Sequence, residues 1–148
     1  MPWDSGKLVG TWKLVSVSLS TEGGEPNDTP FGASPKGFLT YTREGRMSAM
    51  FSYGGRKPLS VSDWSLAAAE EKAEAFSTFA AYAGRYTLEE DRVIHHVEIS
   101  SLQNWVNTDL VRLIQFQGDR IVLRTPPTST NGKIQTWELV WERVPASS

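Results

Sequence analysis

The sequence predicts an all-β fold: an eight-stranded, up-and-down antiparallel β-barrel with one inserted α-helix. Three observations predict it. The chain opens on Gly10-Thr11-Trp12 and closes on Trp141-Glu142-Arg143, each inside an alternating strand-like run. Between them lie further short alternating segments, several joined by tight turn signals such as Glu44-Gly45, Glu90-Asp91 and Gly118-Asp119. One stretch, Ser65 to Ala83, is instead rich in Ala, Glu and Lys and reads as a helix. In a closed barrel the first and last strands are neighbours and no sheet edge is left unpaired. The Trp12 indole then fills the barrel floor, and the Arg143 guanidinium lies over its face as a cation–π partner.

The elements follow in order. Strand one is expected over about Lys7 to Leu19, with Trp12, Leu14, Ser16 and Ser18 on one face. The stretch Ser20 to Lys36 carries Gly23-Gly24, Pro26, Pro30 and Pro35, and reads as a loop over a barrel mouth. Strands two and three are expected over Gly37–Arg43 and Arg46–Tyr53. In the helix, Leu66, Ala69, Ala73, Phe76 and Ala80 recur at three-to-four spacing, with Phe79 beside them. Ser62 or Ser65 would cap its start and Gly84 would stop it. Such a helix packs on the barrel or lids its mouth, and in the second case Phe76 and Phe79 face a ligand. Strands four to seven are expected over Arg85–Glu89, Arg92–Ser100, Asp109–Gln117 and Arg120–Thr125. Strand eight is expected over Lys133–Val144, with Trp137, Leu139, Trp141 and Arg143 facing inward. The short sequential connections favour a meander over a Greek key.

Composition narrows the function classes. The 148 residues suit one domain spanning 1–148, with 39% hydrophobic and 22% charged residues. A formal net charge of −2 with no basic stripe argues against nucleic acid. The absence of cysteine excludes disulfides, thiolate catalysis and zinc–sulfur sites. No apolar run approaches the ~18 residues needed to span a membrane. Met1-Pro2-Trp3-Asp4 does not read as a secretory signal, so a cytoplasmic protein is expected, as a monomer or homodimer. The tail from Pro145 to Ser148 is expected to fray. Six Trp, six Phe and four Tyr are enough to line a cavity as well as a floor.

Candidate chemistry centres on both histidines of the chain, in His95-His96-Val97-Glu98. Consecutive strand residues face opposite sides, so the two imidazoles do not share a metal, and no metal site is expected. One inward histidine would act as general acid/base or donate to a ligand carbonyl. Either His95 or His96 can be that residue. The set Val93, His95, Val97 and Ile99 is the more apolar, which favours it as the inner face. The competing reading for each is a histidine satisfied by its neighbours.

Arg112 sits among Leu110, Val111, Leu113 and Ile114, where a charge is costly unless paired. Pairing of 95 with 114 and of 97 with 112 would place it one diagonal from His95. An outward, solvated Arg112 is the alternative. Tyr41, Tyr53, Tyr82 and Tyr86 are possible phenol donors, with Tyr41 and Tyr86 the preferred cavity candidates. Trp105, between strands five and six, closes a mouth or staples a loop. No nucleophile elbow, phosphate loop or dinucleotide fingerprint is present, and no cofactor is implied.

These residues together resemble the lipocalin-like domain family of bacteria and fungi. The resemblance rests on Leu8 through Ser16, Pro35-Lys36-Gly37-Phe38-Leu39-Thr40-Tyr41, Gly45-Arg46-Met47-Ser48 and Tyr82-Ala83-Gly84-Arg85-Tyr86. It continues through His95-His96-Val97-Glu98, Trp105, Arg112, Gly118-Asp119-Arg120, Leu123 and the Trp141–Arg143 close. It implies an eight-stranded barrel with an inserted helix. It marks His95, His96, Tyr41, Trp105 and Arg112 as the positions to watch. One departure is Gln103-Asn104 before Trp105, where family members often carry a proline.

Three functions are expected to compete. The first is a cofactor-independent enzyme, an isomerase, cyclase or dehydratase acting on a small hydrophobic metabolite of a natural-product pathway. In it a histidine moves a proton while Arg112 or Tyr41 steadies oxyanion charge. The second is a non-catalytic carrier or sensor of a hydrophobic molecule. The third is an interaction module whose barrel is filled by its own aromatics, with no pocket.

Overall fold

A computed structural model describes residues 5–146. Met1 to Asp4, read above for targeting, and Ser147 and Ser148 of the tail lie outside the described residues. Nine strands alternate along the chain: β1 (Gly10–Thr21), β2 (Lys36–Tyr41), β3 (Arg46–Ser52), β4 (Phe79–Glu89), β5 (Arg92–Ser100), β6 (Asp109–Gln117), β7 (Arg120–Arg124), β8 (Thr128–Thr130) and β9 (Lys133–Arg143). One helix, α1 (Ala69–Ser77), lies between β3 and β4. Every pairing is antiparallel between sequence neighbours until β9, which pairs with β7, β8 and β1. The β1–β9 ladder closes an eight-stranded barrel, with β8 outside the ring.

β8 arises where a loop was expected. Pro126-Pro127 cannot donate to the ladder, so the strand breaks there. It resumes at Thr128 on the same side of β9. Four residues from Arg124 to Thr128 are matched by three from Glu138 to Gln135. Asn131 (φ 50°) and Gly132 (φ 76°) then make the two-residue hairpin turn, whose backbone both residue types tolerate.

The helix differs most from expectation. It spans nine residues rather than 65–83, and none of them is fully buried. Its N-cap is Ala68, with no side-chain capping bond, instead of Ser62 or Ser65. Asp63 caps a separate 3-10 turn by accepting from the Ser65 backbone N–H at 3.0 Å. Glu71 ties the preceding loop down by accepting from the Ser60 N–H and hydroxyl. From Phe79 the chain is strand, because it pairs with β3 from Ser52↔Phe79 to Arg46↔Arg85. Those ladder bonds outweigh the helical propensity of Ala80 and Ala81. Gly84 therefore stops no helix. It sits opposite a bulge in β5, where Glu98 is the extra residue, and an added Cβ would lie 1.9 Å from the His96 carbonyl oxygen.

Two bulges also redirect the inner faces. In β1 the register slips between Leu14 and Ser16, so Val17 is buried and Ser16 is exposed, against the simple alternation. In β5 the slip opposite Ala83/Gly84 turns Ile99 outward, leaving Val93, His95 and Val97 inside.

The floor lies where β1 begins. Trp12 is 1% exposed, its indole N–H donates to the Leu8 carbonyl at 2.9 Å, and the Arg143 guanidinium sits 4.3 Å from its ring centre. Arg143 also donates to the carbonyls of Val9, at 2.9 Å, and Lys7. Gly10, at φ 131°, leaves room for it: a Cβ there would meet the guanidinium at 2.8 Å. From this floor β1 rises to the opposite end, where Leu19 pairs with Trp137. No helix among the described residues is long and apolar enough to cross a membrane.

Candidate functional site

The upper half of the barrel holds a cavity of about 340 Å³. An interior filled by its own aromatics is thereby overturned. The walls are mainly aromatic and come from several elements. Phe51 ends β3, Phe79 and Tyr82 lie on β4, and Trp137 and Leu139 lie on β9. Phe76 on α1 forms part of the rim and is half exposed. Trp105, in the 3-10 turn Gln103–Trp105, meets Tyr82 edge to face at 5.6 Å. The loop from Ser20 to Lys36 contributes Phe31. Its ring stacks on Tyr53 at 4.6 Å and leans against Trp137 at 5.6 Å. The Gly54 backbone N–H donates to the Phe31 carbonyl at 3.1 Å and pins that loop. Apolar walls with few polar groups suit a small hydrophobic ligand.

The walls also carry polar groups, from Tyr53, Ser77, Tyr82, Arg112 and Thr125. Beneath Tyr82, His95 is 1% exposed and held at both ring nitrogens: Nε2 lies 2.6 Å from the Tyr41 hydroxyl and Nδ1 2.7 Å from the Tyr82 hydroxyl. Burial, and then the Arg112 and His96 charges, push the His95 pKa down to about 3, so the imidazole is neutral. Burial raises both phenols, Tyr41 strongly, while Arg112 pulls the other way on each.

Those partners decide where the protons sit. A neutral imidazole donates through one nitrogen and accepts through the other. Tyr41 has no hydrogen-bond partner but His95 among the described residues, so its O–H must donate to Nε2 or stay unsatisfied at a cost of about 1–3 kcal/mol. Nδ1–H then donates to the Tyr82 oxygen, and the Tyr82 O–H is left free to point at the cavity. Among the described residues, the one buried side-chain polar atom without a partner is Trp141 Nε1.

The candidate residues thus separate. Phe76, Phe79, Trp105 and Arg112 line the cavity. Tyr41 and His95 lie below it. Tyr86 is lower still, donating to the Thr42 carbonyl at 2.7 Å and packing edge to face on Tyr41. His96 faces outward, with Nδ1 2.8 Å from Asp109 and Nε2 2.9 Å from the Thr87 hydroxyl, which removes it from the barrel interior. The β5–β6 register is displaced from that expected: His95 pairs with Leu110, and Val93 with Arg112. The displacement is an even number of residues, so Arg112 keeps the face of His95 and stays one diagonal away. Phe31, Phe51, Leu102 and Trp137 complete the walls. Alternation with Ala49 could have singled out Phe51, whereas nothing in the sequence around Phe31 distinguishes it from any other loop aromatic.

A model of the lipocalin-like domain family matches residues 9–144. The chain is also similar to the 4'-hydroxy-3'-methoxypropiophenone carrier protein ppsC of Aspergillus oryzae. The two are 36% identical over 85 residues, covering 51% of this chain and 77% of that protein.

Proposed function

The chain belongs to the lipocalin-like domain family, and from that premise we propose that it is a carrier: it holds a small aromatic molecule in the barrel and releases it unchanged. The observation that carries this reading is the aromatic cavity itself, with Arg112 its single charged lining group. Aromatic walls hold a flat ring through stacking and apolar burial, which need no chemistry. The ppsC relative is named as a carrier of 4'-hydroxy-3'-methoxypropiophenone, an aryl ketone, which points the same way. A ketone oxygen can accept from Tyr82, and the ring then lies among Phe31, Trp105 and Trp137.

The enzyme reading loses its base. His95 has no free nitrogen, does not reach the cavity lining and takes up a second proton only near pH 3. One observation favours a catalytic variant: the chain Tyr41–His95–Tyr82 could feed a proton through Tyr82 to a ligand. In that reading, an isomerase, cyclase or dehydratase step would use Tyr82 as acid.

Titration of intrinsic tryptophan emission with aryl ketones tests both readings, since Trp105 and Trp137 line the cavity. Carriage predicts saturable quenching and recovery of the ketone at its original mass. A product of different mass or different chromatographic retention, lost in Tyr82→Phe, would establish the catalytic variant instead.

A further inference from the structure

Arg112 is the cavity's one charged lining residue and has no carboxylate partner among the described residues. The nearby acids are committed elsewhere, all on the outer surface. Glu98 pairs with Arg46 and Arg85, Asp109 with His96, Glu138 with Arg124 and Glu142 with Arg120. Arg112 donates Nη1 to its neighbour's carbonyl, Val111 O, at 3.0 Å, and lies within hydrogen-bonding reach of the Tyr82 hydroxyl, which leaves further donors of the fork for a ligand. A guanidinium has five N–H donors in a planar fork that matches a two-oxygen anion. The strand around it is apolar or half-buried, so its charge is only partly solvated. Leaving such a cation uncompensated is costly, and removing the charge altogether would be cheaper for a purely apolar ligand.

We propose that the natural ligand is an aromatic compound with an ionised oxygen, a carboxylate or an acidic phenol or enol, seated against Arg112 and the Tyr82 hydroxyl with its ring toward Phe31 and Trp137. This deepens the carrier reading and rests on it. It narrows the ligand from hydrophobic molecules in general to weak acids. The anion completes an ion pair that the protein leaves open, and the Tyr82 O–H supplies a second donor on the same side. The apolar walls select the ring, and the guanidinium selects the charge state. Binding therefore lowers the pKa of a ligand phenol or enol, because the protonated form forfeits the ion pair.

Matched probes test it. Binding of 2-naphthoate and of its neutral analogue methyl 2-naphthyl ketone is measured by tryptophan quenching at pH 7. The wild type is expected to prefer the acid at least tenfold. Arg112→Gln is expected to weaken the acid at least tenfold while moving the ketone less than threefold. Arg112→Lys, which keeps the charge without the fork, recovers part of the preference. Equal affinity of the wild type for both probes overturns the proposal and leaves the carrier reading standing. So does an Arg112→Gln that weakens both probes equally while its melting transition remains cooperative. Binding of neither probe overturns the carrier reading and the proposal together. The source of the oxyanion is read from 4-hydroxypropiophenone: a phenolate absorption band appearing on binding at pH 6 marks an acidic phenol as ligand chemistry. Its absence, with 2-naphthoate still preferred, marks a carboxylate.

Discussion

At the scale of single residues, His95 is a structural hinge between two phenols rather than an exposed base, and this has a pH signature. Its folded pKa is about 3, against about 6.5 when unfolded. Between those values the unfolded chain binds the extra proton, so stability rises with pH. The contribution is complete above about pH 6.5 and is lost as pH falls toward 3. Each pH unit in that window is worth about 1.4 kcal/mol, so denaturant unfolding at pH 5.0 should read roughly 2 kcal/mol below pH 7. Acids with lowered pKa values, such as Glu44 and Glu98, add their losses only nearer pH 4. A His95→Gln variant should be less stable at pH 7 but lose most of the slope above pH 5. A slope unchanged in that variant would contradict the buried neutral imidazole. The tyrosines separate the same way. Tyr41→Phe and Tyr82→Phe each strand one imidazole nitrogen and should each cost about 1–3 kcal/mol. Only Tyr82→Phe should also weaken ligand binding, because Tyr41 does not reach the cavity. The sequence made both histidines visible as polar groups in an apolar strand. It could not decide between them, since a strand's two faces differ only through what packs on each.

At the scale of elements, strand bounds followed closely from alternation and turn residues: Arg92–Ser100 and Asp109–Gln117 are reproduced to the residue. The departures are local and have two causes. Bulges at Leu14/Ser16 and opposite Ala83/Gly84 insert a residue and reverse the inner face beyond it, and alternation contains no trace of that. The Ala-rich run past Ser77 reads as helix by propensity, yet Tyr82 and Tyr86 on one side of β4 are buried by pairing with β3 and β5. Gly84 is the testable residue here. Gly84→Ala would drive a methyl into the neighbouring strand's backbone, so thermal or denaturant unfolding should show a loss of about 3 kcal/mol. Gly24→Ala, whose Cβ would meet nothing nearer than 3.6 Å, should stay within about 0.5 kcal/mol. Equal effects would mean that the close approach of β5 to Gly84 does not exclude a side chain there.

At the scale of the whole molecule, the barrel divides its labour along its axis. The floor is closed by Trp12, Arg143 and the carbonyls of Lys7 and Val9, and the cavity occupies the other end. Arg143→Met should remove the cation–π contact and two charge-assisted hydrogen bonds, lowering the melting temperature by about 5–10 °C. Ligand affinity measured well below that temperature should change less than twofold. The floor pairing was legible because it joins two Trp-bearing motifs at the ends of the strand series. The mouth was legible only in part: the loop over it, Trp105 and an inward Trp137 were expected, but nothing in the sequence marks Phe31 among the loop residues as the one that reaches the cavity. The central claim is that this mouth admits a small aromatic molecule and returns it intact. Native mass spectrometry after incubation with 4'-hydroxy-3'-methoxypropiophenone, followed by extraction of the bound fraction, tests it most directly. The account predicts one copy bound per chain and an extracted compound with the mass and chromatographic retention of that supplied. An unloaded protein at saturating ketone, or an altered mass or retention in the extract, would contradict it.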